Sequence, residues 1–403
     1  MPDTSRGAVR FVAKRMGHGA IRVDERGGSW SAGPGDQPVT VDVHDRRAYR
    51  ALVRGGSTGL AESYRQGWWD CDDLTGLVRL VLVNLEKVLD AADRAGTTFG
   101  GPLSAVRRLQ GPDVAADRRH IEAHYDLPDV LFEAMLDDSM TYSCAIFDPP
   151  SIDLAEAQRV KLDRVCTKLE LRPTDHLLEI GTGWGALAVH AARRYGCRVT
   201  TTTISPAQEE VARRRVASAG LADRVDVLGT HYRHLTGSYD KIVSVEMIEA
   251  VDWRRHDEYF AACDRLLAPE GIMVLQAIVI ADRSYERAKH HADFIRKMVF
   301  PGGCIPSVTA ICDSLTRATR MRVIDLEDIG HHYPPTLAAW RERFESRWGE
   351  VTRASDLDEP FRRLWLLYLS YCEAAFLERH ISDVQMVLGG HRYRSAPVAG
   401  GFS

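Results

Sequence analysis

Lysine is scarce in this 403-residue chain: it supplies 7 of the 52 basic residues, and Arg supplies the other 45. GC-rich codon usage explains most of such a bias, although the forked donors of Arg also suit phosphate contacts. A large excess of either charge is missing too. The 56 acidic residues leave a net charge of −4, which excludes a strongly basic nucleic-acid binder. The eight cysteines contain no CxxC pair, so neither a zinc cluster nor a disulfide framework is expected, and a reducing compartment is. Apolar runs are short, as in Leu80–Val83 and Ala277–Ala281, against the ~20 residues of a membrane span. Arg6, Arg10, Lys14 and Arg15 interrupt the opening stretch, which therefore does not read as a signal peptide. Internal repeats and low-complexity tracts are absent.

What is present is the composition of a soluble globular protein, 45% hydrophobic and 27% charged, in a length that suits two domains. Ala95–Asp113 is rich in Gly, Pro and small residues and reads as a linker. The expected division is a small α+β domain over 1–94, a linker over 95–119 and a larger domain over 120–403. Up to Arg119 there are 18 basic and 15 acidic residues, a net +3. A solvated surface accounts for that, and contact with an anionic bilayer is the alternative. Within Gly59–Leu74, the adjacent Trp68 and Trp69 cannot share one helical face. One is expected to pack and the other to meet a neighbouring domain or subunit.

The back part alternates strand and helix. Asp175–Ile180, Arg198–Ile204, Val225–Leu228, Tyr239–Val245 and Ile272–Ile280 read as strands, and Ala186–Arg194 and Pro206–Ala219 as helices. Ser205 is the expected N-cap, with Pro206 at the first helical position. This alternation predicts a parallel, doubly wound α/β sheet that binds ligands at the carboxyl ends of its strands. The first strand runs into Glu179–Gly185, EIGTGWG. A GxGxG turn lets backbone approach a ligand closely. A dinucleotide site would call for GxGxxG instead. At the second strand's end, Thr203 and Gln208 can hydrogen-bond hydroxyls or an adenine edge as well as cap a helix.

With these pieces in place the chain resembles the cyclopropane-fatty-acid synthase family of S-adenosylmethionine (SAM)-dependent methyltransferases. The resemblance runs through GLAESYRQGWWDCD (59–72), HYDLPDVLF (124–132), MTYSCAIF (140–147), LAEAQRVKLDRVC (154–166), TTISPAQ (202–208), YDKIVSVEMIEAV (239–251), FPGGCIPSV (300–308) and YLSYCEAAF (368–376). It implies a Rossmann-like SAM methyltransferase domain with helical insertions, preceded by the small N-terminal domain of the longer bacterial form. It also implies a cytoplasmic homodimer, peripheral to the inner face of the membrane, that acts on a cis double bond of a phospholipid acyl chain. SAM is placed by the resemblance against Tyr142, Ser143, Glu179, Gly181, Gly183, Gly185, Thr203, Gln208 and Tyr232. An alkene is a poor nucleophile, and attack on the sulfonium methyl leaves a carbocation, for which Tyr142, Tyr333 and Trp184 offer aromatic faces.

A base must then take a proton from the transferred carbon. In the family this is a bound bicarbonate, and the corresponding residues here are Cys144, Glu249, Gln276, Ile278 and Tyr333. The chain departs from the pattern at three places: Gln276 replaces a His, Ala250 follows Glu249 where the family has His, and Glu246 replaces a Gly. An amide for a potential cation, and an added carboxylate, both weaken an anion site. The Glu246 carboxylate itself is therefore a candidate base in place of bicarbonate, with two nearby carboxylates raising one pKa. The competing reading is a solvated turn residue or a contact to the SAM amino group.

The resemblance extends to relatives that turn an oleoyl chain into a 10-methylene chain, which a separate flavin-dependent reductase takes to tuberculostearic acid, and the altered base pocket favours that product over ring closure. Ring closure to a cyclopropane is the alternative product, and a lipid-binding protein without catalysis the alternative class. His331 and His332 look like a metal pair, but adjacent side chains are expected to diverge, and no metal is expected. The Cys144 thiol lacks an evident base. The amphipathic Leu364–Val387 reads as a core helix, or as the lining of an acyl channel.

Overall fold

The computed structural model describes residues 4–85, 87–88 and 127–394. The expected linker, 95–119, lies outside them.

The front part folds around a four-stranded sheet. Strands β1 (Ile21–Glu25), β2 (Gly28–Ala32), β3 (Val39–Val43) and β4 (Trp69–Cys71) lie in the order β2-β1-β3-β4. In β3 the VTVDV alternation buries Val41 and Val43 and turns Asp42 outward, the period-2 pattern of a half-buried strand. Trp69 is buried and donates its indole N–H to the Ser63 hydroxyl at 2.9 Å. Trp68 stays half-buried under the Arg47 guanidinium, 4.5 Å from its ring centre. The two rings thus divide into one packed and one half-buried, the latter covered by an Arg of the same part of the chain.

The back part holds a seven-stranded sheet. Its first five strands are β5 (His176–Ile180), β6 (Arg198–Thr202), β7 (Val225–Leu228), β8 (Tyr239–Val245) and β9 (Leu267–Ile280). All five run parallel, in the order β7-β6-β5-β8-β9. Leu177, Val199 and Val243 pack one face against the helices Leu154–Lys168, Ala186–Tyr195 and Pro206–Ser218. Leu178, Ile242 and Met273 pack the other against His256–Leu266 and Val308–Ala318. Both faces being covered explains why residues on both sides of these strands are buried, Thr200, Thr201 and Thr202 of β6 included. Order reverses at β5, so the carboxyl ends of β5, β6 and β8 open on a common crevice.

The sheet is not wholly parallel. Beyond β9 come β11 (Ile381–Gly389) and then β10 (Arg322–Asp328), each antiparallel to its neighbour. This corrects the reading of Leu364–Val387 as one helix. The helix Glu359–Leu377 ends there, and the chain re-enters the sheet as β11. Its ISDVQMVLG run is buried on both faces, and helical and strand patterns are indistinguishable in so short an apolar stretch.

Helices Asp129–Met135, Tyr333–Ala354 and Glu359–Leu377 form an aromatic-rich layer that packs with the Met140–Phe147 segment. The last of them also joins the front part, since Leu364 and Leu367 complete the core containing Val41, Tyr64 and Trp69. Arg363 rivets that contact. It donates to the Tyr64 carbonyl at 2.6 Å and the Trp69 carbonyl at 2.7 Å, meets Asp70 at 2.7 Å, and lies over the Tyr64 ring at 4.1 Å. Arg363→Ala strands two carbonyls and is expected to destabilise the protein by roughly 2–4 kcal/mol. Urea unfolding followed by tryptophan fluorescence reads this; an unchanged midpoint contradicts it.

Candidate active site

The crevice begins at the turn after β5. Gly181 and Gly183 take φ of 101° and 51°, the left-handed region in which a side chain is strained. A Cβ on Gly181 would also lie 3.3 Å from the Met247 side chain. Eight of the nine expected cofactor residues line the resulting cavity: Tyr142, Ser143, Glu179, Gly181, Gly183, Thr203, Gln208 and Tyr232. Gly185 does not. Its missing Cβ would sit 3.2 Å from that of Ala212, so this glycine serves the packing of one helix on another.

Ser205 caps its helix as expected, accepting from the Gln208 backbone. The Thr203 hydroxyl donates to the Gln208 side-chain oxygen at 2.9 Å, which orients that amide at the cavity wall. Glu179 is buried and accepts from the Thr201 hydroxyl at 2.6 Å. Burial pushes its carboxyl up to about 8. Across the cavity, Lys161 is fully buried and donates to the Ser143 hydroxyl at 2.8 Å. Burial lowers its pKa, while Glu246 and other acids act in the opposite sense.

All six expected catalytic residues meet at the ends of β8 and β9. Glu246 follows β8 with φ 48°, a strained conformation for a residue with a side chain. One of its oxygens accepts from the Cys144 backbone N–H and the Gln276 amide, both at 2.8 Å, and the other from the Tyr333 hydroxyl at 2.6 Å. Glu246 lines the cavity as well, so it is no solvated turn residue. Glu249 accepts from the Ile278 backbone N–H at 2.5 Å, and its other oxygen is buried with no hydrogen-bond partner. Burial, and then Glu246, push the Glu249 carboxyl up to about 8.

An aromatic wall faces this cluster. The Tyr142 and Tyr368 hydroxyls are 2.8 Å apart, and Tyr333 stacks on Phe376 at 4.1 Å. Phe132 bridges Tyr142 and Trp184, with ring centres 5.5 and 4.8 Å away. Trp340 joins Tyr142 and Tyr333, with ring centres 5.2 and 6.3 Å away, so the three expected cation-facing rings belong to one wall. Cys144 contributes backbone only: its thiol is buried, and burial drives its pKa well up. The rings of His331 and His332 do not diverge but lie 3.9 Å apart. His332 accepts from the Phe147 N–H, and burial holds its pKa down at about 4. No group of metal-binding side chains occurs among the described residues.

Sequence reading missed Asp383, Gln385, Lys161 and Tyr368. Asp383 and Gln385 stand two apart in a mostly apolar strand and are both fully buried. Lys161 falls on the buried stripe of its helix, with Ala157, Leu162 and Val165. Polar residues at core positions were the available signal.

Comparison with known proteins adds to this geometry. The sequence profile of mycolic acid cyclopropane synthetase matches residues 113–386. The chain is 36% identical over 391 residues to tuberculostearic acid methyltransferase UfaA1 of Mycobacterium tuberculosis, covering 94% of this chain and 90% of that protein. It is 37% identical over 357 residues to the cyclopropane-fatty-acyl-phospholipid synthase of Escherichia coli, covering 88% of each. Among solved structures, mycolic acid cyclopropane synthase CmaA1 complexed with SAH and CTAB superposes with a TM-score of 0.63 at 29% identity, over 68% of this chain and 98% of that one.

Acids buried in the neutral form impose a sign on stability. Glu179 and Glu249 each move from 4.5 to about 8 on folding. Their contribution is complete below the unfolded value and is lost as pH rises through the folded one. The thermal midpoint should fall across this window, and Glu179→Gln and Glu249→Gln should each flatten the fall. An unchanged slope in both variants contradicts neutral burial.

Proposed function

The chain belongs to the mycolic acid cyclopropane synthetase family, and from that premise we propose that it is a SAM-dependent C-methyltransferase converting phospholipid-bound oleoyl chains to 10-methylene chains. The observation that carries this reading is the Glu246 carboxylate, held at the cavity by Cys144, Gln276 and Tyr333. Extensive likeness to a tuberculostearic acid methyltransferase supports the same branch.

The cavity fits SAM by its chemistry. It has a close-approach glycine turn, an acid in Glu179 for an ammonium, the Thr203–Gln208 pair for hydroxyls, and the Lys161–Ser143 pair for a carboxylate. SAM supplies an electrophilic methyl there. Tyr142, Tyr333 and Trp184 face the cation left on the acyl chain and stabilise it without capturing it. Glu246 is the base that removes the final proton.

Bicarbonate does not fit the same donors. The Cys144 N–H, the Gln276 amide and the Tyr333 hydroxyl point to Glu246, and the Ile278 N–H points to Glu249. No step here is assigned to it. Methylene formation and ring closure both remove a proton from the transferred carbon. They differ in whether a 1,2-hydride shift comes first. A base tied down by three hydrogen bonds cannot follow the reacting carbon, which gives the shift time to occur. The cyclopropane reading rests on likeness to the Escherichia coli synthase.

The substrate is presented at the membrane surface. No helix among the described residues is long and apolar enough to cross a bilayer, and the sequence up to Arg119 carries a net +3, so peripheral contact with the inner, anionic face is the mode proposed. The working unit is a homodimer, as family resemblance implies. Reduction of the methylene group to a methyl takes two electrons and two protons, which falls to a separate flavin-dependent reductase.

Purified protein incubated with SAM and dioleoyl phospholipid vesicles should yield acyl chains one carbon heavier, with vinylidene protons by NMR. Cyclopropane protons would sink the methylene reading, and an unchanged chain would sink the enzyme reading. Glu246→Gln should lower turnover at least ~100-fold, within the range general bases contribute, while SAM binding by calorimetry stays intact. Near-normal turnover in that variant removes Glu246 from the base role.

A further inference from the structure

Asp383 lies behind the base and is fully buried on β11. Its carboxyl accepts from the Gln276 amide, which donates to Asp383 at 2.9 Å and to Glu246 at 2.8 Å. That amide is oriented with its nitrogen toward the two carboxyl groups and its oxygen accepting from Gln385 at 3.0 Å. Both N–H groups are therefore committed to carboxyl oxygens. The remaining Asp383 oxygen is buried with no donor, and Glu246 is among the hydrogen-bonding neighbours of the carboxyl.

Two neighbouring carboxyl groups, one of them fully buried, cannot both be ionised without strong repulsion. The groups facing Asp383 come from several elements: Glu246 after β8, Glu249 in the turn that follows, Cys144, Tyr333 and Lys161. Lys161 is the cation of this set, and its hydrogen bond goes to Ser143. A proton on Asp383 resolves both problems. It removes one negative charge, and it supplies a donor to an otherwise repulsive oxygen–oxygen contact.

We propose that Asp383 is a positioning residue for the base, remaining protonated and donating its hydrogen to Glu246, so that Asp383 and Gln276 together fix the carboxylate that faces the cavity. The inference rests on the assignment of Glu246 as base. Asp383 touches neither substrate nor cofactor, and the proton taken from the acyl chain ends on Glu246.

Three measurements test it. First, the infrared difference between wild type and Asp383→Asn at neutral pH should contain the carbonyl stretch of a protonated carboxyl; carboxylate bands alone would overturn the proposal. Second, Asp383→Ala should lower kcat ~10-fold or more, leaving the KM for SAM within about 2-fold. Third, Asp383→Asn, a permanently neutral donor of the same shape, should restore most of that loss. An Asn variant as poor as the Ala variant, with SAM binding intact in both, overturns the proposal, as does a fully active Ala variant. The infrared result does not depend on the lipid reaction. If wild type makes no modified acyl chain, the proposed function fails and the spectrum still reports on Asp383; if wild type is active and the band is missing, only this inference fails.

Discussion

The Glu246 carboxylate is the constraint around which the rest of the site is arranged. Its partners arrive from three separate stretches of chain: the loop at Cys144, strand β9 at Gln276 and the helix start at Tyr333. The backbone accepts a left-handed φ of 48° to place it. A strained residue persists only when its surroundings over-determine it, and three hydrogen bonds to one side chain do so. The fold makes this possible by reversing strand order at β5, which brings the ends of β5, β6 and β8 to one crevice.

Charge in this crevice is managed by proton occupancy more than by ion pairs. Glu179 is buried and Glu249 half-buried with one buried oxygen, both with raised pKa values, and Lys161, the nearby cation, is partnered by a hydroxyl. A site that must stabilise a transient carbocation gains from the one carboxylate held in place, Glu246, and from aromatic faces that cannot bond to the cation. The same burial makes fold stability fall as pH rises from the ordinary carboxylate range to about 8, because the unfolded chain ionises these acids before the folded one does.

Much of this was legible in the sequence. The parallel strands follow from apolar runs between helices, and the cavity from GTGWG and TISPAQ. Glu246, Glu249 and Gln276 stood out as departures in a recognisable pattern. The hydrogen-bonded frame was not legible. Strand β11 is paired by residues more than a hundred positions away, and its apolar run reads equally well as helix. Asp383 therefore had no visible reason to face Gln276. The packing of Gly185 against Ala212 was not legible for a related reason: a glycine needed for helix packing looks the same in sequence as one needed for a ligand. His331 and His332 share one short turn, which overrides the divergence expected of adjacent side chains.

The central claim is that the base is part of the chain. Turnover should be measured in buffer stripped of carbon dioxide and in the same buffer with bicarbonate restored. The account predicts equal rates in the two, with methylene product in both. A rate that collapses on stripping and recovers on adding bicarbonate would contradict it, and would return the proton-accepting role to an exchangeable anion.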